Sequence, residues 1–89
     1  MPRYVVERTF VDGLHLPSGP EGDEIRAKIV ANNAKLGVTW LSSYVNEDRS
    51  KTFCIYDAPD TDAIVEAGLK SGVPVDRITR VSELTPYEY

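Results

Sequence analysis

Two hydrophobic periods alternate along this chain, and their order restricts the fold more than any other property of the sequence. Residues 3–9 are dominated by Tyr4, Val5, Val6 and Thr9, side chains that suit a pleated strand, and a turn-prone stretch from Asp12-Gly13 through Pro17, Gly19, Pro20 and Gly22 ends the run. Between about 21 and 36, Ile25, Ile29, Val30 and Leu36 recur at helical spacing with Arg26, Lys28 and Lys35 between them. Asp23 and Glu24 fall in the first turn of that helix, where a carboxylate complements the dipole, and Gly37 stands where a left-handed residue ends it. Residues 38–45 and 51–56 are rich in strand formers and are joined by the polar turn Asn46-Glu47-Asp48-Arg49-Ser50, so they should pair as an antiparallel hairpin. Asp60 is placed to cap a second helix carrying Ile64, Val65, Ala67 and Leu69, which Gly72 terminates. Residues 77–84 read as a last strand and 85–89 as a C-terminal tail.

The order βαββαβ is the split βαβ arrangement of a ferredoxin-like α+β sandwich. It predicts a four-stranded antiparallel sheet with two helices on one face and the first and third strands side by side at its centre. At 89 residues the chain suits one such domain spanning 1–89, with no linker, repeat or low-complexity tract. Apolar residues at 42% and charged residues at 27% are the proportions of a folded globular domain. Ten basic against fourteen acidic residues leave a charge of −4, so no positive field is available to gather phosphates, and nucleic acid is excluded as the expected partner. No stretch approaches the ~20 apolar residues of a membrane helix, and Glu7 and Arg8 interrupt the N-terminal apolar run before a secretory segment could form. A lone Cys54 cannot make an intramolecular disulfide, which suits a reducing, cytoplasmic setting. Phosphate-binding glycine loops, paired-cysteine zinc motifs and nucleophile elbows are all absent from the sequence.

Alternation along the strands sorts the side chains into two sets. Tyr4, Val6, Leu41, Val45, Phe53 and Ile55 form an apolar set expected beneath the helices. The other set, expected on the helix-free face, holds Val5 and Glu7, then Trp40, Ser42 and Tyr44, then Thr52, Cys54 and Tyr56. Large aromatics mixed with groups that donate, accept or titrate are costly to leave in water. Either a second copy of the chain packs there as a homodimer, or the face, closed by that copy or by the loop over 10–22, forms a pocket with convergent polar groups. Trp40, Ser42, Tyr44, Cys54 and Tyr56 are the candidate ligand-binding residues.

Among titratable groups, Glu7 is the candidate general base, with an ion pair to Arg8 of a partner, Arg77 or Arg80 as the structural alternative. His15, in a loop longer than most connections, could close over the pocket to move a proton or ligate a metal, or could simply face water while Leu14 and Leu16 pin the loop. Cys54 is either a nucleophile or soft ligand or, with no cation beside it in sequence, a small buried hydrophobe. Asn32 and Asn33 are assigned to the polar side of the first helix, and Asp60 to capping. The leading function is a small-molecule or weak metal-ion binding module; the alternative is a cofactor-independent enzyme of the dimeric ferredoxin-like type with Glu7 or His15 as acid or base.

The segments Tyr4-Val5-Val6-Glu7-Arg8, Trp40 with Ser43-Tyr44-Val45, Phe53-Cys54-Ile55-Tyr56 followed by Ala58-Pro59-Asp60, and Gly72 with Pro74 together resemble a family of small bacterial ferredoxin-like domains of unknown function that includes a nickel-binding protein. The resemblance spans nearly the whole chain and implies the same fold, with nickel as the implied metal. The chain departs from the family pattern at Ser42 and near Ala67, where that pattern carries histidines, and this leaves His15 as its single imidazole. No metal ligand is assigned on these residues.

Overall fold

The computed structural model describes residues 1–13 and 19–87. Its elements follow the predicted order: β1 (Arg3–Thr9), α1 (Pro20–Lys35), β2 (Thr39–Val45), β3 (Lys51–Asp57), α2 (Thr61–Ser71) and β4 (Arg77–Val81). The strands form one antiparallel sheet in the order β2-β3-β1-β4, the ferredoxin-like α+β arrangement. β4 is shorter than its sequence suggests, because only five of its residues find partners on β1.

Local chemistry sets the ends of the helices. Pro20 opens α1 at a position where its missing N–H costs nothing, and Gly19 before it takes a positive φ that a side chain would resist. Asp60 caps α2 by accepting from the Ala63 N–H at 2.8 Å, and Gly72 ends it in the left-handed conformation. In the β2–β3 turn the Asp48 carboxylate accepts from both the N–H and the hydroxyl of Ser50, which holds its pKa below the usual carboxylate value. No helix among the described residues is long and apolar enough to cross a membrane.

Cross-strand pairing fixes which side chains share a face. Tyr4 lies opposite Tyr56, Val6 opposite Cys54 and Arg8 opposite Thr52, and all six are buried. This is the face beneath the helices. With Val38, Ala58 and Ile64, and with Leu36, Trp40, Ala63, Val75 and Ile78 packed at the margin, Tyr4, Val6, Cys54 and Tyr56 make the core. Asn33, expected on the polar side of α1, is instead buried, and its backbone carbonyl accepts from the N–H groups of Leu36 and Val38 where the chain turns into β2. Ile25 and Val30, expected to anchor α1, remain 39% and 51% exposed.

Candidate functional site

The helix-free face is built from three rungs of side chains. Tyr44, Phe53, Glu7 and Arg77 stand across one rung, Ser42, Ile55, Val5 and Thr79 across the next, and Asp57, Arg3 and Val81 across the third. This differs from the expected division in two respects. Phe53 and Ile55, expected beneath the helices, lie on the open face, because Glu7 pairs with Phe53 and Val5 with Ile55. Cys54 and Tyr56, expected on the open face, are therefore buried under the helices, along with Thr52. Pairing shifted by one residue exchanges every side chain of a strand between faces, and composition alone did not fix that shift.

A β-bulge makes the second difference. Trp40 pairs with Tyr56 while Ser42 pairs with the next residue, Ile55, so Leu41 is an extra residue in β2. Trp40 thus joins the helix side, where it packs against the core margin, while Ser42 and Tyr44 keep the open face. Its indole N–H donates to the Ser43 hydroxyl at 2.8 Å. The seven predicted site residues are therefore divided: Glu7, Ser42 and Tyr44 share the open face, Trp40, Cys54 and Tyr56 belong to the helix side, and His15 lies outside the described residues.

Each of these groups has a definite environment. Glu7 sits between Lys51 and Arg77, each 4.0 Å from one of its carboxylate oxygens, with its side chain 24% exposed; Arg77 is among the partners the sequence offered for it, and Lys51 is not. The Cys54 thiol is buried and donates to the Thr52 hydroxyl, the surroundings of a small core residue. The Tyr56 hydroxyl accepts from Arg8, whose guanidinium also lies over the Tyr56 ring at 5.8 Å; burial pushes the phenol pKa up, and the Arg8 charge pulls it partly back. Arg8 itself is only 5% exposed, and among the described residues no carboxylate lies within ion-pair distance of it. Its charge is stabilised instead by the Pro74 carbonyl and the Tyr56 hydroxyl.

The open face carries a groove of about 350 Å³. Ile55 forms its floor, Ser42 and Tyr44 rise from β2 on one side, and Val81, Ser82 and Glu83 close the other beside Arg3. Arg3 is engaged by Asp57 through two contacts, Nε to Oδ1 at 2.9 Å and Nη2 to Oδ2 at 3.3 Å, and this pairing holds the Asp57 carboxyl below its ordinary pKa. Sequence reasoning found Ser42 and Tyr44 but missed Arg3 and residues 81–83. The signal that could have found them was the parity of β4, since Val81 pairs with Arg3 at the end of the central strand.

The fold and the groove define a small ferredoxin-like domain with a mixed aromatic and polar concavity on the sheet face its helices leave open. The chain belongs to the family described as nickel responsive protein SCO4226-like, whose profile matches residues 4–81. The crystal structure of SCO4226 from Streptomyces coelicolor A3(2) is similar to it with a TM-score of 0.72 at 13% identity, over 93% of this chain and 99% of that one, which is a likeness of fold. No curated protein matches the chain.

The description of the family raises nickel, and the donor set bears directly on it. Among the described residues no group of three or more His, Cys, Asp or Glu side chains could hold a metal ion, and the single thiol is buried against Thr52. These residues do not fit an imidazole or thiolate nickel centre.

Proposed function

We propose that this protein is a small-molecule or weak metal-ion binding module that works through its helix-free face, as a homodimer in the cytoplasm. The observation that carries the reading is the groove over Ile55, where the Ser42 and Tyr44 hydroxyls meet an apolar floor and a polar far wall. Such a concavity takes a ligand with an apolar body and a few directed polar contacts. The partly exposed Val5, Phe53 and Ile55 beside it supply the apolar centre of a face that a second copy would cover. A buried, unpaired Cys54 supports the reducing compartment. Binding is preferred over acid–base catalysis because Glu7 is taken up by Lys51 and Arg77.

The test is thermal unfolding of the purified protein against a library of small polar metabolites and against nickel and zinc chloride. Saturable stabilisation that falls in Ser42→Ala and Tyr44→Leu is expected, since a ligand held by the native state raises its stability by mass action. Stabilisation that is indifferent to both substitutions would place the ligand elsewhere. Sedimentation equilibrium decides the assembly: a dimer is expected, and a monomer at the highest workable concentration would remove that part of the reading.

A further inference from the structure

The groove is electrically one-sided. Arg3, its one cation, is already bound twice by Asp57, so its charge is compensated within the protein. Glu83, on the same wall, has no cation within 4 Å among the described residues, and it acts on Arg3 less than Asp57 does. Arg80, the next basic residue along β4, pairs with Tyr4 and does not line the groove; it borders an adjoining hollow with Arg3 and Glu83 but makes no ion pair with Glu83 within 4 Å. Lys51 and Arg77 are committed to Glu7, which stands four residues along β1 from Arg3, roughly 13 Å at the rise of a strand. The groove thus presents one carboxylate outside any ion pair to whatever enters it.

The other lining groups suit the same occupant. Tyr44 is 67% exposed and offers a ring to the cavity edge, and a ring face attracts a cation. The hydroxyls of Ser42, Tyr44 and Ser82 have no hydrogen-bond partner in the protein among the described residues, so they can accept from an ammonium N–H. Ile55 and Val81 provide apolar surface for a hydrocarbon body. An anion would meet Glu83 with no uncommitted cation among the residues that line the groove, and a neutral ligand would leave that carboxylate unused.

We propose that the ligand of this groove is an organic cation, a protonated amine carried on an apolar or aromatic body, with the ammonium directed to Glu83 and the body lying over Ile55 beside Tyr44. The proposal rests on the groove being the binding site and adds the chemical class of its occupant.

The experiment compares three probes that share one skeleton and differ in charge: phenethylamine, phenethyl alcohol and hydrocinnamate. Each is titrated into nitrogen-labelled protein at neutral pH while amide shifts are followed by NMR. Phenethylamine is expected to move the amides of Ser42, Tyr44, Ile55 and Glu83 saturably. The alcohol should bind about two- to five-fold more weakly, the scale of one exposed charge contact. Glu83→Gln should erase that difference while leaving the alcohol unchanged, and Tyr44→Leu should weaken the amine by a similar factor. Hydrocinnamate binding at the same amides as tightly as the amine would overturn the cation assignment and leave the groove standing. If none of the probes moves those amides, the groove itself fails as the site, and the assignment of its ligand fails with it.

Discussion

Gly68 in α2 sets two opposed effects against each other, and the structure decides their sum. In an ordinary helix interior, Gly→Ala stabilises by about 0.8–1 kcal/mol, because alanine has less backbone freedom to lose. At Gly68 the added Cβ would stand 2.8 Å from Val75 Cγ2, 3.5 Å from the Val73 carbonyl and 3.6 Å from Arg8 Nη1. Carbon atoms in contact settle at about 3.5–4.0 Å, so the overlap with Val75 is close to an ångström. Valine is stiff at χ1, and driving it off its rotamer costs about 0.5–1.5 kcal/mol. The alternative is to displace the connection between α2 and β4, which would pull the Pro74 carbonyl from the Arg8 guanidinium and weaken a hydrogen bond that stabilises a buried charge. Overpacking of this kind costs about 1–3 kcal/mol, so the propensity gain is outweighed and Gly68→Ala should destabilise by about 0–2 kcal/mol net.

Urea unfolding followed by circular dichroism measures that change, and in a domain of this size each kcal/mol moves Tm by about 4–8 °C. Adding Val75→Ala removes the clashing methyl, so the pair should be coupled: truncating Val75 should cost less in the Gly68→Ala variant than in the wild type, by at least about 0.5 kcal/mol. A stabilised Gly68→Ala variant with additive behaviour would refute the packing of α2 onto the 73–75 segment and onto Arg8.

Three further outcomes follow from the same contacts. Asp57→Asn should flatten the acid limb of the stability profile: Arg3 lowers the folded pKa of Asp57 below its ordinary 3.8, so the stability from this pair is complete above that value and is lost as pH falls through the folded one, which denaturation at a series of acidic pH values will record. Replacing Asp60 by alanine removes the acceptor for the Ala63 N–H and should cost about 1 kcal/mol, read as a lower urea midpoint at unchanged slope; no change would show that the cap is not formed in solution. Cys54 should react with a thiol reagent slowly under native conditions and quickly in denaturant; fast native labelling would put β3 in the opposite register.

Local signals carried most of the architecture. β1 was readable to its last residue, both helices ended at or near the glycines or caps that the sequence offers, and the hairpin followed from its polar turn. These features depend on residues a few positions apart, where side-chain type and backbone conformation are directly linked. The candidate site was legible only in part. Ser42 and Tyr44 were found because they share parity on one strand, whereas Trp40 was misplaced by a bulge at Leu41 that leaves no mark in the alternation itself. Arg3 and Glu83 were missed because the two ends of the chain are brought to the groove only by the pairing of Arg3 with Val81.

By itself, then, the sequence determined what each segment is: its period, its ends, and the order in which four strands and two helices follow one another. Only the tertiary structure decided which side of β3 faces the helices, and with it that Cys54 and Tyr56 enter the core while Phe53 and Ile55 floor the open face. The reason lies in the geometry of a sheet, where side chains repeat every two residues and a shift of one inverts a strand. When both parities of a strand carry apolar and aromatic groups, as in Lys51–Asp57, hydrophobicity does not choose between them, and the choice passes to the hydrogen bonds with β1.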